Sequence, residues 1–246
     1  AAKDGDVLSN IILAEQYSNY YADDELMKKY EAKAKQLAAE YIDRLIQQAS
    51  YDDHAKFYLA LMYRIGLGVS EDMNKASGML SSLAENGMVY AQDTIAWDYI
   101  YPSDESKPDY EKALQWFERA ARNGYAPGWY GMGHVYSGDV DDKQKDYEKA
   151  VIYYRKAAEL GMPAAQYELA TLLSKHIDTA GDPDQVVIES TNWALKSAKA
   201  GYAAAITEVN KTRKKLMKQI LKPVDERMMK LKPETWDELV FLLRVK

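Results

Sequence analysis

The chain has 246 residues, 47% hydrophobic and 28% charged, which is the composition of a folded protein and too apolar for a disordered one. It contains no cysteine, so disulfides, thiol catalysis and thiolate metal sites are excluded, and it has no apolar run of about 18 residues that would span a membrane. The net charge is −6, but residues 207–231 hold eight Lys/Arg against three acids, making that segment +5 and the remainder −11; an acidic body argues against general nucleic-acid binding and suits a basic protein partner.

The chain opens Ala1-Ala2-Lys3-Asp4 without a methionine, as a mature chain does after signal removal; the expected compartment is periplasmic or extracellular, with the cytoplasm left open. Residues 8–21 contain Leu13-Ala14 and Tyr17, and 23–49 read as a long helix, so 1–50 is expected to be a divergent first helix pair that caps the chain. A repeat then governs residues 51–205. The stretch "DYEKA" occurs at 109–113 and again at 146–150, and a glycine follows each Ala by eleven residues. The same offset links Ala76 to Gly87, and the glycines run Gly87, Gly124, Gly161 and Gly201, in steps of 37, 37 and 40. Four residues after each glycine stands a small residue: Ala91, Gly128, Ala165 and Ala205, with an upstream copy at Ala55.

Each feature has a mechanical reason. A first helix begins near the small residue and carries the pairs Leu59-Ala60, Ile95-Ala96, Met132-Gly133 and Leu169-Ala170, with Tyr63, Tyr99 and Tyr136 one turn on. This is a helical stripe with small residues where two backbones approach. A second helix begins after Asp72, Asp109 or Asp146, whose carboxylate caps the open N–H groups for about 1 kcal/mol. It ends at the glycine, which takes the left-handed conformation that closes a C-terminus. Met79, Trp116, Tyr153 and Trp193, each eight residues before the glycine, are expected in the core. The last helix is expected over 202–221, stopped by Pro223, with 206–246 capping the far end.

Gly66-Leu67-Gly68-Val69, Asp72, Lys75-Ala76, Ala84, Gly87 and Ala91 together resemble the Sel-one-like repeat (SLR) family, a relative of the tetratricopeptide repeat. The resemblance covers roughly 51–205 as four repeats and implies an all-α, right-handed α-solenoid of about five helix-turn-helix units folded as one domain. The departures are "YPSDESKP" (101–108), "SGDVDDKQK" (137–145) and a longer connection "AGDPDQVV" (180–187).

No catalytic set emerges. His54, His134 and His176 fall at different offsets in three units, and no H-E-x-x-H is present. Gly66-x-Gly68 and Gly131-x-Gly133 lack the strand context of nucleotide-binding glycines, and no serine sits in G-x-S-x-G. Paired carboxylates such as Asp52-Asp53 and Asp141-Asp142 lie in expected turns, where they cap helices or face solvent. No metal and no cofactor is expected, and the chain reads as a binding module rather than an enzyme. The basic run 211–222 is either the solvated side of a helix whose apolar residues are Val209, Leu216, Ile220 and Leu221, or a contact for an acidic partner or lipid headgroups.

First helices line the concave surface of helical-pair solenoids. Positions three, seven and ten past the small residue share one face and read Tyr58, Met62, Ile65; Thr94, Asp98, Tyr101; Gly131, Val135, Gly138; and Glu168, Leu172, Lys175. Trp97, Trp129, Tyr130 and His134 flank that face. The partner-binding candidates are therefore Tyr58, Met62, Trp97, Asp98, Tyr101, Trp129, Tyr130, His134 and Glu168, aromatic anchors with acids among them; packing between units is the competing explanation. The resemblance implies two roles for such a binder. One is an immunity protein that occludes a secreted toxin such as a type VI phospholipase effector; the other is a periplasmic adaptor or assembly scaffold in envelope signalling or secretion.

Overall fold

The computed structural model describes residues 28, 32, 42–103, 106–177 and 182–228, with side chains described to Lys215. The helix pair expected at 8–49 and the C-terminal cap expected beyond 228 therefore lie largely outside the described residues. Among the described residues from Asp53 to Met228, nine α-helices occur: α1 (Asp53–Ile65), α2 (Met73–Glu85), α3 (Val89–Ile100), α4 (Tyr110–Arg122), α5 (Ala126–Ser137), α6 (Tyr147–Glu159), α7 (Pro163–Lys175), α8 (Pro183–Lys199) and α9 (Ala203–Met228). A 3-10 turn, Asp142–Gln144, precedes α6. No strand occurs among the described residues. The fold is an all-α solenoid of helix-turn-helix repeats.

The chain divides into two compact units, Ala1–Tyr153 and Tyr154–Lys246, where the sequence led to one domain. A solenoid has no common core to enforce a single unit, since each repeat packs only on its neighbours. In the first unit, α1 packs on α2, α2 on α3, α3 on α4 and α4 on α5; in the second, α7 packs on α8 and α8 on α9.

The repeated pentapeptide is explained by a clamp at the turn between paired helices. The N–H of Asp72, Asp109 and Asp146 donates to the carbonyl of Tyr63, Tyr99 and Tyr136 at 2.9, 2.8 and 2.9 Å. The same aspartates accept from the N–H of Lys75, Lys112 and Lys149 at 2.9, 3.0 and 3.1 Å. Each lysine ammonium then lies over the tyrosine ring, 4.1, 5.3 and 4.8 Å from its centroid. Backbone N–H bonds from the first turn, helped by the lysine, hold Asp109 and Asp146 below the usual carboxylate range.

Gly87, Gly124, Gly161 and Gly201 close the second helices at positive φ, as the spacing predicts. The small residues after them sit in the tightest helix contacts: Ala91, Ala165 and Ala205 are buried, and a Cβ on Gly128 would stand 2.6 Å from the Phe117 carbonyl oxygen. Gly78 is the opposite case. It lies in mid-α2 with nothing within 4 Å of a Cβ, so Gly78→Ala should stabilise the protein by about 1 kcal/mol, read as a higher denaturant midpoint at unchanged slope.

Three sequence expectations are corrected. The buried slot of the second helices lies seven residues before the glycine, at Leu80, Phe117 and Tyr154, whereas Met79, Trp116, Tyr153 and Trp193 are half-buried. One residue is 100° of helix, and the step turns Trp116 toward Arg119, which stacks on it at 4.6 Å, and Trp193 toward Lys196. Residues 183–187 belong to α8, capped by Asp182, so what reads as a long connection is helix. Finally, α9 runs through Pro223 to Met228; the proline removes one N–H from the ladder without ending it.

Candidate protein-binding site

The sequence-derived candidates separate once placed. Met62 is 1% exposed and Tyr130 8%, so both pack the interior and neither presents a surface anchor. Gly131, assigned to the open face, is also buried; a Cβ there would stand 2.3 Å from the Phe117 ring. Tyr58 and Trp129 are half-buried, Tyr58 edge-on to Phe57 and Trp129 stacked on Tyr153. Glu168 is half-buried on α7, in the second compact unit, and is described there alone.

Trp97, Asp98, Tyr101 and His134 do come together, on α3 and α5 of the first unit. Trp97 and Tyr101 are one helical turn apart and stack almost parallel, with centroids 6.1 Å apart and planes within 5°. The Trp97 ring also contacts His134 at 5.4 Å and meets Phe117 edge-on at 5.2 Å, which anchors it on the core. The Tyr101 hydroxyl lies 3.2 Å from His134 Nε2. Asp98 is engaged from the preceding unit by Arg64, in a two-pronged pair whose second contact, Nη1 to Oδ2, is 3.3 Å.

Both divergent loops end at this cluster. Tyr101 begins the loop 101–108 and remains 58% exposed. Asp139 belongs to the loop 137–145, where its carboxylate accepts from Ser137 Oγ at 2.7 Å and lies 3.9 Å from His134 Nδ1. The Tyr110 hydroxyl, at the start of α4, donates to the Val140 carbonyl of the second loop at 3.4 Å. Burial pushes His134 below its usual range, opposed by Asp139. Burial, then the Asp139 charge, pushes the Tyr101 hydroxyl up, so it stays a protonated donor.

One neighbour was missed in the sequence. Asp93 stands one turn before Trp97 and accepts from its indole; its Oδ1 is shielded from solvent with no partner. Burial raises its pKa to about 7. The signal was available in the repeat register, because two residues past the small residue the other units carry Phe57, Tyr130 and Tyr167.

Other surfaces are plainer. Gln185, Ile188, Glu189, Asn192, Trp193 and Lys196 line a groove on one face of α8, where Glu189 already pairs with Arg155 at 2.6 Å. Lys211, Arg213, Lys214 and Lys215 are exposed on α9 while Val209 is half-buried, an amphipathic pattern with a solvated basic side. Among the described residues, no group of three or more His, Asp or Glu is arranged to hold a metal ion, and no helix is long and apolar enough to cross a membrane.

The Sel1 repeat profile matches residues 53–88, 99–125, 130–162 and 163–202, more than half of the chain. The chain belongs to the Sel1 repeat family. Among solved structures it is similar to a protective antigen present in uropathogenic Escherichia coli strains that displays an SLR fold, with 25% identity and a TM-score of 0.53. That match covers 83% of this chain but only 40% of the antigen, so the chain spans less than half of that protein's length. A Sel1 repeat protein from Oxalobacter formigenes is similar at 25% identity and a TM-score of 0.57, covering 83% of this chain and 77% of that one. No curated protein matches the chain. As a Sel1 repeat chain, the protein is a scaffold for protein–protein interaction.

Proposed function

We propose that this Sel1 repeat protein is an immunity or inhibitor protein that binds a cognate secreted toxin and occludes its active site, acting in the periplasm or outside the cell, as a binding module rather than a catalyst. The contact is the cluster of Trp97, Tyr101 and His134 with the loops on either side of it. The observation that carries this reading is Tyr101 itself: a large aromatic, 58% exposed, yet held by the Trp97 ring and by His134. A pre-ordered aromatic loses little side-chain freedom on binding, which is what a hot-spot residue needs. The net charge of −6 supports a basic partner.

The test is a titration of purified protein against the partner it captures from its native lysate. A single stoichiometric partner held at about nanomolar Kd supports the reading, with Tyr101→Ala weakening it by roughly 30-fold or more. Several partners held at about micromolar Kd, or a Tyr101→Ala variant that binds as well as wild type, would replace it with an adaptor or assembly scaffold.

A further inference from the structure

Helix α8 is amphipathic in the reverse of the usual sense. Its inward face carries Val186, Ser190 and Ser197, all buried. The Ser197 hydroxyl donates to the Pro163 carbonyl of α7 at 2.7 Å, and that of Ser190 to the Val187 carbonyl at 3.0 Å. Its outward face carries Ile188, 62% exposed, with Val187 and Leu195 exposed beside it. The corresponding helix of the first unit, α4, exposes Glu111, Lys112, Gln115, Arg119 and Arg122 and no large apolar side chain. Ile188 and Leu195 thus add little to the packing of their own chain, and exposed apolar side chains rimmed by polar ones mark an interaction surface.

The order of residues along that face identifies its occupant. At 100° per residue, Asp184, Ile188, Thr191, Asn192, Leu195 and Lys199 fall within an arc of about 100°, and all six are exposed. They are symmetric about the point midway between Thr191 and Asn192: Ile188 and Leu195 are equally far from it on either side, and so are Asp184 and Lys199. A second α8 laid antiparallel across this face sets Ile188 against Leu195 twice and Asp184 against Lys199 twice, with Thr191 and Asn192 at the crossing. That is the self-complementarity a two-fold interface requires. The other charges of the helix do not disturb it, since Glu189 is paired with Arg155 at 2.6 Å and Lys196 lies over the Trp193 ring at 4.6 Å. Among the described residues, neither Asp184 nor Lys199 has an ion-pair partner within the chain.

We infer that this face of α8 is the contact of a homodimer, in which a second copy of the chain packs α8 antiparallel on α8 about a two-fold axis. The groove beside Ile188, lined also by Asn192 and Trp193, receives Leu195 of the second copy. The two ion pairs fix direction and register, and the apolar pairs supply the attraction. A seam of one helix on one helix buries less than the roughly 1,200 Å² at which stable interfaces begin, so the dimer is a weak one, with a Kd on the order of 10 μM. The inference concerns the second compact unit and does not rest on the Tyr101 cluster.

The test is sedimentation equilibrium of the full chain at concentrations from about 1 to about 300 μM. The weight-average mass is expected to rise from 28.0 kDa toward twice that value. Ile188→Asp, a change at an exposed position, should hold it at the monomer mass throughout. Asp184→Lys and Lys199→Asp, made singly, should each weaken dimerisation about tenfold or more, because each brings like charges together at two places. The double variant should restore the wild-type Kd to within about threefold. Both reversals oppose the helix dipole, so a mere loss of stability would be deeper in the double variant, not repaired. The chain has no cysteine, so Thr191→Cys supplies a single thiol beside the two-fold axis; mild oxidation should link it into a dimer far more readily than Lys211→Cys on the exposed side of α9. A mass of 28.0 kDa at every concentration would overturn the proposal and leave this face to a different protein. A dimer that survives Ile188→Asp, or a double charge variant that stays as weak as the single ones, would overturn it equally.

Discussion

Lowering the pH from 7.5 to 5 should raise the melting temperature of the wild-type protein, and Asp93→Asn should abolish most of that gain. The Asp93 carboxyl is raised by burial from 3.8 to about 7. The sign follows from linkage. The unfolded chain ionises at the ordinary carboxylate pKa while the folded chain keeps its proton until about 7. The neutral acid's contribution is thus full below about pH 4 and is lost as pH rises through 7. Between pH 7.5 and 5 the shift corresponds to about 2.5 kcal/mol, roughly 6 °C in Tm for a chain of this size. Asp98 acts in the same direction, since burial raises it even beside Arg64. His134 opposes both: its lowered pKa means that neutral imidazole stabilises the fold above the ordinary histidine range and that this is lost on acidification. Asparagine keeps an acceptor for the Trp97 indole and carries no proton to lose, so differential scanning calorimetry should show its curve nearly flat over the same window. A wild-type Tm independent of pH between 5 and 7.5 would mean that Asp93 is solvated and that its unpartnered oxygen is not a real feature of the fold.

Gly128→Ala should be among the most damaging single-methyl additions available. The new Cβ would lie 2.6 Å from the Phe117 carbonyl oxygen and 2.7 Å from the Ala121 nitrogen. Both are backbone atoms of α4, so no rotamer change relieves them and the helices must separate. Helix propensity returns roughly 1 kcal/mol, while overpacking against backbone costs about 3, for a net loss near 2 kcal/mol, or about 5 °C in Tm. Gly131→Ala provides the contrast. The atoms nearest its Cβ would be those of the Phe117 ring, at 2.3 Å, and that ring is a fully buried side chain that can be trimmed. Phe117→Leu should therefore rescue part of the Gly131→Ala loss and none of the Gly128→Ala loss, measured as a double-mutant cycle in urea. Equal rescue of both would mean that α4 and α5 are not in backbone contact at Gly128.

The repeat was legible because its signals are local. A capping aspartate, a left-handed glycine and a small residue at a close approach act within a turn or two of themselves, and their spacing survives in the string. The side that a helix buries is set by its neighbour, and there the string was ambiguous. Trp116 and Phe117 are adjacent and equally apolar, as are Tyr153 and Tyr154, so hydrophobicity could not say which points inward. The same limit put Met62 and Gly131 on an open face, with Tyr130 flanking it, when each is buried. Tyr101 and His134 could be named as candidates, but their meeting depends on two loops with no shared pattern. Asp98 could be placed on the face, but its pairing was not legible because Arg64 stands 34 residues away in the preceding unit. Asp93 was readable through the repeat, as the position where an aromatic series is interrupted, and through nothing else in the sequence.

The bond from each capping aspartate to the tyrosine carbonyl before it has a consequence for how such arrays diversify. It fastens the two ends of the turns that follow Tyr63, Tyr99 and Tyr136, so the residues between are a closed segment hung from a fixed base. The glycine-rich segment between Tyr63 and Asp72 and the divergent ones between Tyr99 and Asp109 and between Tyr136 and Asp146 are all fastened at nearly the same length. Doubling a segment closed in this way costs only about 0.6 kcal/mol of extra closure entropy. Turns of this kind are exchangeable cassettes. New recognition sequences can be installed in them one at a time while the helices beneath keep their register, so a chain can change what it binds much faster than it changes how it folds.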